Sequence, residues 1–392
     1  MSDVFILAGQ RTAIGDYGKA LKDVAPSQLG EIAIRAALAK SGVEAADVGH
    51  VVMGHVIHTE PKDAYISRVS AVNAGIPVGT PAFTVNRLCG SGLQAVVSAA
   101  QTIMLGDTSI AVAGGAESMS RGGYLLPAER WGARLGDGKV IDMVVGALHD
   151  PFGNGHMGIT AENVAAQYGL TRAAQDAFAA QSHQRAAAAQ AAGYFKDQIT
   201  PVEIPGRKGV TIFDTDEHVR ADTTTETLAS LKPVFKKDGT VTAGNASPLN
   251  DAGAALVLAS GAEVSKRNLT PMARIVAYGH AGVAPEVMGL GPIPASQNAL
   301  RRAGLSAADM DVIESNEAFA AQACAVWRDL GLDPAKVNPN GGAVALGHPI
   351  GASGAIIAIK AMYELARIKG RYALVTMCIG GGQGIALILE RV

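Results

Sequence analysis

Charged side chains are scarce in this 392-residue chain: Asp, Glu, Lys and Arg make up 17% of it and nearly cancel, leaving a formal charge of −2. With no net positive field there is no global attraction for nucleic acid or an anionic membrane, and neither is expected as a partner. Sparse charge beside 48% apolar residues implies much covered surface, in a large core and between subunits. Cysteine is rarer still. Cys89, Cys324 and Cys378 are odd in number and lack metal-like spacing, which argues against a disulfide framework or a metal site and leaves at least one free thiol. Long apolar runs are missing too, because Gly, Ser or a charge interrupts each one before the roughly 18 to 20 residues of a membrane span. The first residues, Met1 to Ala8, enter a strand pattern at once, without the basic segment and apolar core of a secretory signal, so a cytoplasmic location is expected.

What the chain does contain is a repeat. Ala37 to Asp47 (A-L-A-K-S-G-V-E-A-A-D) resembles Ala299 to Asp309 (A-L-R-R-A-G-L-S-A-A-D) at an offset of 262. The same offset carries Ser91-Gly92 onto Ser353-Gly354. Each pair opens an apolar helical run, followed by a strand and a glycine cluster: Ile110 to Gly115 in one copy, Ala373 to Gly382 in the other. Alternating helices and apolar strands in both copies imply α/β layers, with mainly parallel strands covered on both faces. The middle, Met119 to Asn250, has no partner at this offset and reads as an insertion. It opens on the irregular segment Arg121 to Gly138, holds an alanine-rich helix over Thr171 to Ala192, and scatters Arg207, Lys208, Arg220, Lys232, Lys236 and Lys237. A solvated face is the ordinary reading of such charges; a site for ligand phosphates is the sharper one.

Three turns concentrate the chemistry. Asn86 to Ala95 (N-R-L-C-G-S-G-L-Q-A) places Cys89 where a short buried strand gives way to an apolar helix. Backbone N–H groups and the dipole at a helix start favour a thiolate, and glycines at 90 and 92 allow close approach to the backbone. Gly347 to Gly351 (G-H-P-I-G) occupies the homologous turn of the second copy, with His348 falling on Asn86. Cys378 and Gly380 to Gly382 lie beyond the following strand, and Asn316 to Phe319 (N-E-A-F) beyond the expected strand Asp311 to Glu314. If the copies face each other, Cys89, His348 and Cys378 share a pocket.

Four blocks in this order, Asn86 to Ala95, Asn316 to Phe319, Gly347 to Ser353 and Cys378 to Gly384, resemble the thiolase family, and most closely its bacterial biosynthetic acetyl-CoA acetyltransferase branch. The resemblance runs from about Arg11 to Val392. It implies an α/β fold, the duplicated five-layered α-β-α-β-α architecture with an inserted loop domain, divided as 1–118 plus 250–270, 119–249 and 271–392. It also implies a reversible Claisen condensation of two acyl-CoA to a short-chain 3-oxoacyl-CoA and CoA. By resemblance Cys89 forms the acyl-enzyme, His348 takes its proton, and Cys378 removes the α-proton of the second acyl-CoA. His348 and a water held by Asn316 would stabilise the enolate, and the N–H groups of Cys89 and Gly380 the tetrahedral adduct.

For coenzyme A the resemblance points to Ser247 near the pantetheine and Arg220 near the adenine, with walls from Leu148, His156, Met157, Phe235, Ala243, Met288, Ala318 and Phe319. Acetyl-CoA, 3-oxoacyl-CoA and CoA are the implied partners, with no metal or other cofactor, in a homotetramer assembled through the Arg121 to Val145 arm. Cys324 is expected to have no catalytic role, and His149, His183 and His218 none for lack of a partner. A 3-oxoacyl carrier-protein synthase would have a histidine in place of Cys378. A non-catalytic acyl-binding protein would not need Cys89, Asn316, His348 and Cys378 together. A dehydrogenase is disfavoured because Gly380 to Gly384 (G-G-G-Q-G) does not follow G-x-G-x-x-G.

Overall fold

Two runs of strands carry the architecture. The computed structural model describes residues 3–207 and 209–392; the expected roles of Met1 and Ser2 in the first strand, and of Lys208 in the basic scatter, lie outside the described residues. In the first half the strands lie side by side in the order Ala82–Val85, His50–Gly54, Ile110–Ser118, Asn250–Ser260, Val4–Thr12. The second half continues from that edge with Ala273–Gly282, Gln383–Arg391, Tyr372–Ile379 and Val312–Ser315. The join is brief: Phe5 opposes Arg274 and Ile6 opposes Ala273. Beyond Ile313, Val337 forms one further parallel bridge, at the place that Ala82–Val85 holds in the first half.

The repeat seen in the sequence is a repeat of elements. Strands begin at His50 and Val312, and at Ile110 and Tyr372, each pair 262 apart. The helices Pro26–Ser41 and Pro292–Ala303 both end on a left-handed glycine, Gly42 at φ 71° and Gly304 at φ 67°, where a side chain would be strained. The helices Ser91–Leu105 and Ile350–Ile368 form the middle layer, packed on each other and on strands of both halves. Pro26–Ser41 covers the outer face of the first sheet and Pro292–Ala303 that of the second, giving five layers, α-β-α-β-α.

The two central helices touch reciprocally. A Cβ on Gly92 would lie 2.8 Å from the Ala355 nitrogen, and one on Gly354 would lie 2.3 Å from the Leu93 nitrogen. Since 93 plus 262 is 355 and 92 plus 262 is 354, these are the same contact seen from either side, the mark of a pseudo-twofold axis. Glycine is required at both places because backbone meets backbone there.

The expectation of mainly parallel strands is corrected. Among the described residues the outer strands of each half pair in parallel, His50–Gly54 with Ala82–Val85 and Ile110–Ser118, and Val312–Ser315 with Tyr372–Ile379, and the short strand Ile199–Thr200 adds a parallel pairing to Val4–Thr12. The inner pairs are antiparallel. The cause is the connection. Tyr372–Ile379 and Gln383–Arg391 are joined by the turn 380–382, too short for the crossover that parallel pairing requires, and Gly381 and Gly382 supply the positive φ of the turn, 81° and 85°. In the first half the matching strands end at Ser118 and resume at Asn250, so the long segment between them stands where the second half has a tight turn.

One run does reach membrane-span length and hydropathy, Leu88–Leu105, contrary to the stricter expectation. Its apolar residues serve the core instead: Leu93, Val96 and Val97 are wholly buried between the sheets. Burying each such side chain stabilises the fold by roughly 1.5 to 3 kcal/mol, which explains an apolar helix without any lipid contact.

Candidate active site

The turn holding Cys89 is tied down by its neighbours. Leu88 sits at φ 45°, a left-handed conformation uncommon for a bulky residue and found where surroundings over-determine the backbone. Here the Ser91 hydroxyl accepts the Arg87 N–H at 2.8 Å and donates to the Leu88 carbonyl at 2.6 Å, while Asn86 Oδ1 accepts the Leu88 N–H at 3.0 Å. Cys89 is thereby held at the mouth of the Ser91–Leu105 helix, half-buried and facing a cavity.

His348 reaches the same cavity from the second half, and residues of the first half fix its turn. Its backbone N–H donates to Asn250 Oδ1 at 2.8 Å, and the Gly351 N–H donates to Glu117 Oε2 at 2.9 Å. Asn250 is anchored in turn by donating to the Gly15 carbonyl at 3.1 Å. Gly347, at φ 112°, cannot carry a side chain, since its Cβ would meet the Asn250 carboxamide at 2.6 Å. The ring is held by Ser353, whose Oγ lies 2.6 Å from Nδ1, and Nε2 has no protein partner among the described residues. Burial pushes the imidazole down to about 4, so it is neutral at physiological pH.

Cys378 ends the strand Tyr372–Ile379, and Gly380 opens the turn after it; both line the cavity. The backbone N–H groups of Gly380 and of Cys89 itself act to lower the pKa of the Cys89 thiol. They do not make it a thiolate, which corrects the expectation from the helix start. Burial outweighs them, with a smaller contribution from the Glu117 carboxylate, and pushes the Cys89 thiol up to about 11. The Cys378 thiol is pushed up as well, first by burial and then by the neighbouring Cys89. At rest the site therefore holds two thiols and one uncharged imidazole.

The cavity has a volume of about 500 Å³, and all ten residues expected along coenzyme A line it: Leu148, His156, Met157, Arg220, Phe235, Ala243, Ser247, Met288, Ala318 and Phe319. His156 caps the helix Met157–Tyr168 by accepting the Gly158 N–H at 3.0 Å, and its ring stacks on Phe235 at 4.6 Å. Ser247 is pinned to the Ala318 carbonyl through both its N–H and its hydroxyl. Arg220 is exposed at the mouth; of the scattered cations among the described residues, it alone joins the wall. Asn316 does not line this cavity. Its carboxamide is buried with neither end bonded to protein, beside a small separate void shared with Ser353, Glu314 and Lys360.

Two family models cover nearly the whole chain: "Thiolase, N-terminal domain" over residues 4–262 and "Thiolase, C-terminal domain" over residues 269–391. The chain belongs to the thiolase family. It is 64% identical over 391 residues to beta-ketothiolase BktB of Cupriavidus necator, covering 100% of this chain and 99% of that protein. It is 51% identical to an acetyl-CoA acetyltransferase of Pseudomonas aeruginosa, with 100% of both chains covered. Among solved structures, human mitochondrial 3-ketoacyl-CoA thiolase in complex with CoA superposes with a TM-score of 0.96 at 46% identity, covering 100% of this chain and 98% of that one.

Several parts of the site in this thiolase have no sequence signal of their own. Met119, Val144, Val145, Thr242, Leu249 and Ile350 are among the wall residues that were not anticipated. The histidines set aside for lack of a partner each have one. His218 lies at the cavity mouth with Nδ1 2.8 Å from Asp16 Oδ1, and His183 accepts the Arg220 N–H at 3.2 Å. His149 lies edge-on to His156 at 5.3 Å. These partners are 202, 37 and 7 residues away in the chain, so only folding brings most of them together. Cys324, by contrast, packs among Phe178 and Trp327 away from the cavity.

Proposed function

We propose that this acetyl-CoA C-acetyltransferase forms its acyl-enzyme at Cys89 and drives condensation from Cys378, joining two acyl-CoA into a short-chain 3-oxoacyl-CoA and CoA, reversibly. The overall activity rests on family membership and on relatives 64% and 51% identical over the full chain. One observation supports the division of labour: two thiols, an uncharged imidazole and the backbone of Gly380 meet at a single cavity.

Proton accounting links these groups. As the Cys89 sulfur attacks the thioester carbonyl, its proton passes to His348 Nε2, and the N–H groups of Cys89 and Gly380 receive the developing oxyanion. The departing CoA thiolate takes the Cys378 proton, which leaves a thiolate at Cys378. That thiolate removes the α-proton of the second acyl-CoA, and the enolate oxygen is met by the protonated His348. Carbon–carbon bond formation expels the Cys89 sulfur, which recovers its proton from His348. Both thiols and the imidazole end as they began.

In the cleaving direction, protein mixed with acetoacetyl-CoA and CoA should consume the 3-oxoacyl thioester and yield two acetyl-CoA; no consumption at millimolar substrate would remove the assignment. Against a carrier-protein synthase stands the thiol at position 378, where a histidine would be expected. Exposed apolar side chains on the arm, among them Tyr124, Leu125, Trp131 and Leu135, support its use as the contact of a homotetramer.

Gly380 provides a direct check on the oxyanion assignment. A Cβ there would lie 2.8 Å from Met157 Cε and 3.1 Å from Leu88 Cδ1. Met157 is flexible and can yield, so Gly380→Ala should fold while tilting its N–H away from the sulfur. Removing one such donor costs about 10²- to 10³-fold in kcat, and steady-state thiolysis should show a loss of that order. An unchanged kcat would detach Gly380 from the chemistry.

A further inference from the structure

His348 has to present a lone pair toward the cavity at one moment and an N–H at the next, so what holds its other nitrogen decides whether it can start the cycle. That nitrogen, Nδ1, has one side-chain partner among the described residues, the Ser353 hydroxyl at 2.6 Å. Ser353 lies in the first turn of the Ile350–Ile368 helix and is buried, out of reach of the main cavity. Its Oγ also lies 2.9 Å from the Pro349 carbonyl, in donor geometry.

A hydroxyl has one hydrogen to give. If it goes to Pro349, the oxygen accepts from Nδ1–H and Nε2 is bare; if it goes to Nδ1, Nε2 carries the hydrogen. Two features favour the first arrangement. The hydroxyl is already directed at Pro349, and Nε2 has no protein acceptor among the described residues, so a hydrogen placed there would be a buried donor without a protein partner, costlier than an idle lone pair.

We propose that Ser353 is the positioning residue that fixes His348 in the Nδ1–H tautomer, with the Nε2 lone pair turned to the cavity that holds Cys89. The inference rests on the reading of His348 as the base for Cys89. A carboxylate at the same distance would hold the same tautomer but raise the pKa of the imidazole. The uncharged hydroxyl orients the ring and leaves burial free to keep it neutral. Once Nε2 has taken the Cys89 proton, Nδ1–H still has the same acceptor, so the ring need not turn during the cycle.

The test compares Ser353→Ala with Ser353→Thr, reading the single-turnover rate of Cys89 acetylation by acetyl-CoA beside the KM for CoA. Ser353→Ala should acetylate at least about 10- to 100-fold more slowly, the range found when groups orienting a metal-bound histidine are removed, with KM changed by no more than about twofold. Ser353→Thr keeps the hydroxyl and should recover to within about tenfold of the parent. A packing role predicts the opposite order, because threonine adds a methyl group to a buried site while alanine only vacates space. Alanine matching or exceeding threonine would overturn the proposal. Neutron diffraction on the unaltered protein tests it without any variant: hydrogen on Nδ1 and none on Nε2 is expected, and the reverse would overturn it. Failure of the unaltered protein to gain an acetyl group at Cys89, read by peptide mass, would instead sink the underlying role of His348, and this inference with it.

Discussion

Replacing Cys89 with alanine should lower turnover of acetoacetyl-CoA by about four orders of magnitude or more, the scale on which removing a covalent nucleophile acts. Alanine removes only the sulfur from a turn held by Asn86 and Ser91 side chains, so the cavity and its hold on CoA should persist. The informative comparison is therefore kcat against CoA binding, measured by calorimetry on the same variant. Loss of both would point to collapse of the turn, and retention of turnover would move the acyl-enzyme elsewhere. In the unaltered protein the thiol sits near 11 and its base near 4, so no titration of either falls between about pH 5 and 10. Acylation should be nearly flat with pH across that window, unlike an enzyme running on a preformed thiolate and imidazolium pair.

The second large effect separates the half-reactions. Cys378→Ala should still take an acetyl group at Cys89, because the nucleophile, its base and the two N–H donors remain. It should fail to condense that group, with carbon–carbon bond formation slower by about 10²- to 10⁴-fold, the usual contribution of a general base. Proton accounting adds a signature. Without Cys378 to take its proton, CoA must attack the acyl-enzyme as a free thiolate, so return of the acetyl group from Cys89 to CoA in the variant should slow as pH falls below the ordinary thiol range near 8.5. Rapid quench with labelled acetyl-CoA reads both steps. Condensation at the parent rate would exclude Cys378 from the chemistry.

The parts of this site that could be read in the sequence sit on short, contiguous blocks. Cys89, His348 and Cys378 each lie at the start of a helix or the end of a strand, within a glycine-marked turn, and the 262-residue offset placed two of those turns opposite each other. The α/β layers followed from the same repeat, and their number from the family resemblance. The antiparallel inner strands were not visible, because pairing direction depends on whether a tight turn or a crossover joins two strands, and apolar composition is the same for both. The neutral thiols were missed for a different reason. A helix start argues for a thiolate, but the burial that defeats it comes from walls contributed by the other half of the chain. Asn250 holding His348, and Asp16 holding His218, span 98 and 202 residues and leave no local pattern to find.

The pseudo-twofold axis between the central helices bears on stoichiometry. Two matched halves could have furnished two reaction centres, yet subtracting or adding 262 sends Cys89 to Gly351, Cys378 to Ala116 and Asn316 to Gly54, none of which bears a functional group. His348 falls on Asn86, so the mirrored positions carry neither a thiol nor an imidazole. Each polypeptide should accordingly take up one equivalent of acetyl group in a burst, so active-site titration counts chains directly, however many assemble together.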